Sequence, residues 1–408
     1  MPTPTTAPNA TSRLPLVIYV LTAGTFLMGT TEFVVAGLLP QIAADFDVSV
    51  ARAGLAITVF AIGMIVGTPS MALVTLRLPR RLTLTLSLLV FAIGHVIVAL
   101  TNSFAIMLAA RVLTAFATGA FWAVAAVVAA RIVGPAASSR ALGIVLGGGM
   151  LANVLGVPIG AFAGQLIGWR GPFWALAGLA ILLAVAVARA VPADDARHSS
   201  PSVRAEFAGL RSVRLWLTLA TCAAVNAGVL SIYSFIAPLL TERTGLPEWT
   251  IPIALVLFGA GALIGSILGG RAGDRHPFGT PLVAAAVTLV AAVGLALFST
   301  LPVPTFLLFS LLGLVGLSAN PVMVNLAVRY GGDAPTLASA MATSIFNLGT
   351  AVGTAITGAA LATSLGALSV PLVGVVFAAI VFLPLATLTV LEHRQHGTGT
   401  GASRTRST

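Results

Sequence analysis

The sequence contains no lysine; all 21 of its basic side chains are arginine. Acids are scarcer, 11 in 408 residues, and charged residues make up only 8% of the chain. A soluble domain carries about 25% charged residues, so that class is excluded. Cysteine is nearly absent. Cys222 stands alone in an apolar run, which rules out an internal disulfide and leaves it as a small buried hydrophobe without metal-ligand spacing. Neither HExxH nor Gly-x-Ser-x-Gly occurs, and no acids cluster, so a membrane-embedded enzyme lacks its catalytic groups and no metal is expected. A channel would need a repeated filter or a ring of like charges, and neither is present. The net charge of +10 would suit nucleic acid. The arginines, however, are scattered between apolar runs without interleaved aromatics, so no such partner is expected.

What is present is hydrophobic length. Hydrophobic residues form 58% of the chain and mean hydropathy is +1.05. A bilayer span needs about 20 mostly apolar residues. Twelve such runs occur, at 14–39, 51–74, 82–101, 104–130, 141–164, 172–190, 214–240, 250–270, 280–299, 303–328, 336–362 and 368–390. An all-α membrane protein in a lipid bilayer is therefore expected. The first run follows a 13-residue tail with one cation and is too long for a signal-peptide core, so it reads as an uncleaved span. Residues 191–213 differ in kind: VPADDARHSSPSVRAEFAGLRSV mixes both charge signs with Ser and Pro. They read as a linker between a first bundle, 14–190, and a second, 214–390, with a tail at 391–408.

Arginine placement orients the chain. With the N-terminus inside, seventeen arginines fall on the inside and three, Arg52, Arg170 and Arg243, on the outside; Arg111 lies within a span. This asymmetry predicts both termini and the linker in the cytoplasm. The halves also repeat. Phe60, Gly63, Gly67 and Arg77 recur as Phe258, Gly261, Gly265 and Arg275, each 198 residues on.

Glu32, in GTTEF, is the one acid inside any of these twelve runs. An intramembrane carboxylate marks a functional site by default. Removal from water disfavours its ionised form, which suits a site that takes up and releases protons. A structural, permanently protonated acid is the alternative. Arg111, in RVLTAFATGAFW, shares a helical face with Thr114, Thr118 and Trp122, which makes a plausible wet cavity wall. Otherwise it snorkels to the surface. Phe121 and Trp122 suit either stacking on a substrate or helix packing. His95 reads as a titrating group or a packing residue. Further polar positions that should face the interior are Asn226 and Tyr233 with nearby Phe235, Asn320 and Asn325, and Asn347. They either touch substrate or bond helices together.

Three motifs carry a resemblance to the major facilitator superfamily, and within it to the twelve-span drug:proton antiporters of arabinose-efflux-like and chloramphenicol-exporter-like type. GRAGDR supplies Gly270, Asp274 and Arg275, a pattern that resembles the family's gating loop. The corresponding first-half loop keeps Arg77, Arg80 and Arg81 but has Ala72 and Leu76 where the family has Gly and an acid. Arg111 matches the family's intramembrane arginine. GGGMLANVLGVPIGAFAG, with Gly149, Asn153, Gly156, Pro158, Gly160 and Gly164, resembles the antiporter packing motif, although Val157 interrupts its Gly-Pro pair. GWRGPFW and GTTEF also look like this branch. The resemblance implies two pseudo-symmetric six-helix bundles in a bacterial-type inner membrane. It implies a monomer that exchanges protons for a small organic compound such as chloramphenicol, with Glu32 coupling, Arg111 tuning it, and no cofactor beyond the proton gradient. Sugar or purine/nucleoside efflux is the alternative within the family.

Overall fold

The computed structural model describes residues 14–75, 78–133, 138–192, 212–331 and 335–401. Among them are twelve helices long and apolar enough to cross a membrane. We label them α1 (Leu16–Gly37), α2 (Val50–Met71), α3 (Arg80–Leu100), α4 (Phe104–Val133), α5 (Arg140–Ile167), α6 (Arg170–Ala190), α7 (Val213–Ser234), α8 (Thr250–Arg275), α9 (Gly279–Phe298), α10 (Pro302–Tyr330), α11 (Met341–Leu361) and α12 (Gly366–Glu392). Leu182, Val290, Leu307 and Leu383 are exposed on their outer faces. In water such surface would be unfavourable, and in a bilayer it is solvated by lipid tails. Residues 193–211 of the expected linker, and Arg77 with Leu76, lie outside the described residues.

The repeat has a packing cause. Gly67 of α2 lies against Phe116 of α4, and Gly265 of α8 lies against Leu314 of α10. These pairs are the same two positions 198 residues apart. Gly63 against Ala115 and Gly261 beside Gly313 repeat the relation one turn away. A Cβ at Gly265 would run into the Leu314 carbonyl, so only glycine permits this approach.

A second small-residue stripe joins α5 to α1. Gly148 meets Thr22, Gly156 meets Thr30, Gly160 meets Val34 and Gly164 meets Leu38. Within it α5 widens into a π-turn at Ala152–Gly156, where the Val157 N–H reaches back five residues to the Ala152 carbonyl. Pro158 follows and has no N–H to give. The widened turn also brings the Asn153 backbone against Gly259 of α8, in the opposite half.

The apolar core is asymmetric along the membrane normal. We call the side where α1 starts and α6 leads to α7 the linker face, and its opposite the far face. On the far side one continuous cluster crosses both halves, from Val34 and Leu38 through Ile57 to Phe235, Leu255 and Phe258. Toward the linker face the cluster from Leu14 to Val191 holds first-half residues alone. The clusters around Leu215, Val225 and Cys222 hold second-half residues alone. Polar and close contacts between the halves agree. Thr58 Oγ1 bonds Thr354 Oγ1 at 2.8 Å, Gln165 Nε2 donates to the Glu248 carbonyl at 2.8 Å, and Gly54 lies under the Phe235 ring.

Two expected boundaries move. Asp274 lies in the last turn of α8 rather than in a loop. The last helix runs on from α12 to Gly401, so the expected tail begins as helix, and Glu392 is a buried acid at the end of a span. Glu392 accepts from the Tyr330 hydroxyl at 2.5 Å and pairs with Arg214 at 3.2 Å, which ties α12, α10 and α7 together at the linker face.

Candidate functional site between the halves

The α-helical part of α1 ends at Phe33 and the chain tightens into a 3₁₀ turn over Val34–Gly37. Glu32 sits at this junction. The tighter turn redirects carbonyls from the α-helical ladder, and Arg111 collects them. Its Nη1 donates to the Thr31 carbonyl and to Thr31 Oγ1, both at 2.9 Å. Nη2 reaches the Glu32 carbonyl at 3.4 Å and Nε the Ala56 carbonyl of α2 at 3.2 Å. The guanidinium also lies 4.2 Å from the centre of the Phe60 ring. Arg111 is fully buried, so it does not snorkel. It sits roughly 10 Å in from the start of α4 at 1.5 Å per residue. Dispersed carbonyl dipoles and an aromatic face compensate the buried cation without a carboxylate in direct contact.

His95 extends this node. Its Nδ1 is 2.7 Å from the Phe91 carbonyl and its Nε2 is 2.7 Å from Thr31 Oγ1. A carbonyl only accepts, so Nδ1 carries the proton. Thr31 already accepts from Arg111 and can give its own proton to Nε2. The chain Arg111–Thr31–His95 thus links α4, α1 and α3.

The Glu32 carboxylate is different. It is only part-buried and makes no hydrogen bond among the described residues. It interacts electrostatically with Arg111 and, across the interface, with Tyr233. Phe33 meets the Tyr233 ring edge-on at 5.6 Å. Behind Tyr233 lie Phe258 at 4.6 Å and Phe309 at 6.5 Å, both in the second half. The Tyr233 hydroxyl is buried and has no hydrogen-bond partner among the described residues.

The other expected positions separate into groups. Thr114 is buried against Gly94 of α3 and bonds its own helix at the Arg111 carbonyl. Thr118 is buried against Met28 of α1. Phe121 packs on Gly24, and Trp122 on Gly149 of α5. Phe235 closes the far face and is no wall of an open space. Asn226 bonds the Cys222 carbonyl at 3.1 Å and Asn320 at 3.4 Å, joining α7 to α10. Asn347 bonds the Thr343 carbonyl of its own helix, whereas Asn325 is exposed and Asn153 part-buried. Of the gating-loop positions, Gly270 is part-buried and Arg81, Asp274 and Arg275 are exposed; Arg80 belongs to the first turn of α3. Four participants were missed by sequence reasoning: Thr31, Phe33, Thr58 and Thr354. Phe309 was missed too, although the 198-residue repeat places it opposite Arg111.

Twelve spans in two bundles, sealed together on one face and carrying buried charge at their junction, define a multi-pass membrane transporter. The chain belongs to the Major Facilitator Superfamily, whose family model matches residues 21–332 and 219–407. It is 38% identical over 343 residues to a chloramphenicol resistance protein of Streptomyces lividans, covering 83% of this chain and 88% of that one. It is 32% identical to the inner membrane transport protein YdhP of Escherichia coli K12, over 89% and 93% of the two chains. It is also 32% identical to the putative transporter AraJ of the same organism, over 83% and 86%. In three dimensions it resembles a bacterial homologue of the human lysosomal transporter Spinster, in an inward-facing and occupied conformation. That match has a TM-score of 0.74 at 20% identity and covers 93% and 96% of the chains.

Proposed function

We propose that the chain is a proton-coupled exporter of a small, uncharged or weakly polar organic compound, of which chloramphenicol is the leading case. The observation that carries this reading is Glu32: a part-buried residue whose carboxylate makes no hydrogen bond among the described residues, set where the two halves meet. Such a group can hold a proton or release it to whichever face is open. The relative from Streptomyces lividans supports the amphenicol assignment. The arginine bias makes the linker face cytoplasmic, so the far-side seal corresponds to a conformation open to the cytoplasm in a bacterial inner membrane. Alternating access follows if the far-side cluster opens when the linker side closes. The protein works as a monomer, without cofactor, on the proton gradient.

The test is uptake of labelled chloramphenicol into inside-out vesicles under an imposed proton gradient. Wild type should accumulate the compound and Glu32→Gln should not, although both fold. Equal gradient-driven uptake by the two would remove Glu32 from the mechanism. No uptake by folded wild type would turn the search to sugars and nucleosides.

A further inference from the structure

Two polar groups on opposite halves, on α1 and α7, have no hydrogen bond among the described residues. The Glu32 carboxylate of α1 makes no hydrogen bond among the described residues, and the Tyr233 hydroxyl of α7 is buried without a partner. A buried hydroxyl left unpaired is unfavourable by itself, which favours a partner supplied elsewhere in a cycle. Phe33, the residue after Glu32, already touches the Tyr233 ring. Rotation of the Glu32 side chain is opposed by no bond of its own. The Tyr233 ring cannot swing away, because Phe258 and Phe309 hold its other side.

We propose that Tyr233 is the latch of the empty transporter: its hydroxyl donates to the ionised Glu32 carboxylate and holds the far face shut. The inference rests on the coupling role given to Glu32 above. Its logic concerns leak. An antiporter must not return to the far side with its acid ionised and its site empty, because that step completes a cycle that dissipates the proton gradient. After Glu32–COOH gives its proton to water at the linker face, the carboxylate takes the Tyr233 O–H as a charge-assisted bond across the sealed interface. A proton on Glu32 weakens that bond, since a neutral acid accepts less strongly than a carboxylate. A substrate carrying a hydroxyl or amide N–H displaces Tyr233 by offering its own donor to Glu32. Substrates are therefore neutral compounds with at least one such donor.

Few other charged or titratable groups bear on Glu32. Arg111 from α4 donates to the Glu32 carbonyl, and His95 from α3 acts through Thr31. The charged side chains of α2, α5 and α8, namely Arg52, Arg140, Arg271, Asp274 and Arg275, stand at helix ends, and α11 has none.

The experiment is substrate-free proton leak in proteoliposomes of the full chain, comparing wild type, Tyr233→Phe, Glu32→Gln and the double variant. Tyr233→Phe removes only an unpartnered oxygen, so the fold is retained; Tyr233→Met keeps the bulk and serves as a second variant. We expect Tyr233→Phe to leak about tenfold faster, the scale of one charged hydrogen bond, while downhill chloramphenicol flux persists. The leak should vanish in the double variant, because no carboxylate remains to carry the proton. Spin labels at Asp47→Cys and Ser364→Cys, on opposite halves of the far face with Cys222→Ala, should report opening at alkaline pH in Tyr233→Phe alone. A proton-tight Tyr233→Phe with wild-type far-face distances overturns the latch. So does an equal leak in the double variant, which would mean that Tyr233 does not act through Glu32. Retained gradient-driven uptake by Glu32→Gln would instead bring down the coupling role itself, and the latch with it.

Discussion

The two halves answer the same position in opposite ways. In the first, Arg111 of α4 lies 4.2 Å from the Phe60 ring. In the second, 198 residues on, Phe309 of α10 lies 5.0 Å from the Phe258 ring. The architecture around both is alike, with glycine-lined α2 against α4 and α8 against α10. One pair is cation on ring, and the other is ring on ring. A shared backbone therefore supplies one half that handles charge and one that supplies an apolar wall. The halves share a backbone at this position and differ in its chemistry.

The comparison can be broken most severely by moving the charge to the wrong half. Phe309→Arg would bury a guanidinium against the Tyr233 and Phe258 rings, at a cost of several kcal/mol. Size-exclusion of the purified variant should show loss of the folded monodisperse species. The reverse exchange, Arg111→Phe, strips donors from the Thr31, Glu32 and Ala56 carbonyls. It should cost about 3 kcal/mol or more, read as a lowered unfolding temperature in detergent, and abolish gradient-driven uptake. An Arg111→Phe protein with wild-type transport would show that the charged node is dispensable.

Smaller changes sharpen the comparison. Gly265→Ala meets the Leu314 carbonyl, whereas Gly67→Ala meets Phe116 with more room. The first should destabilise by about 1–3 kcal/mol and the second by less. Equal unfolding temperatures for the two would contradict the tighter packing of the second half. Thr31→Val removes the hydroxyl between Arg111 and His95 and should cost on the order of 1 kcal/mol. Thermal unfolding of Thr31→Val and His95→Asn, singly and together, should show that the two losses do not add.

The fold was legible because lipid demands long apolar runs and arginines mark their ends. Glu32 and Arg111 were legible because charge is rare inside such runs. Arg111's surroundings were not, since three of its four acceptors are backbone carbonyls and any sequence carries those. The aromatic group of Phe33, Tyr233, Phe258 and Phe309 was hidden for the opposite reason: rings in apolar helices attract no notice until the halves are assembled. Thr114 and Thr118 share a face with Arg111 as expected, but that face meets α3 and α1 as packing. Glu392 escaped because the last span was ended two residues short of it. Its helix continues, and Arg214 and Tyr330 enclose it.

The continuous apolar cluster on the far side has a thermal consequence. Opening that face would wet a seam now dry from Leu38 to Phe258, and hydrating apolar surface raises heat capacity. The opening step should then have an enthalpy that grows with temperature. A plot of log turnover against reciprocal temperature should curve wherever that step limits the rate. On the linker side the first-half cluster and the three second-half clusters share no such seam, so the curvature should come from the far face.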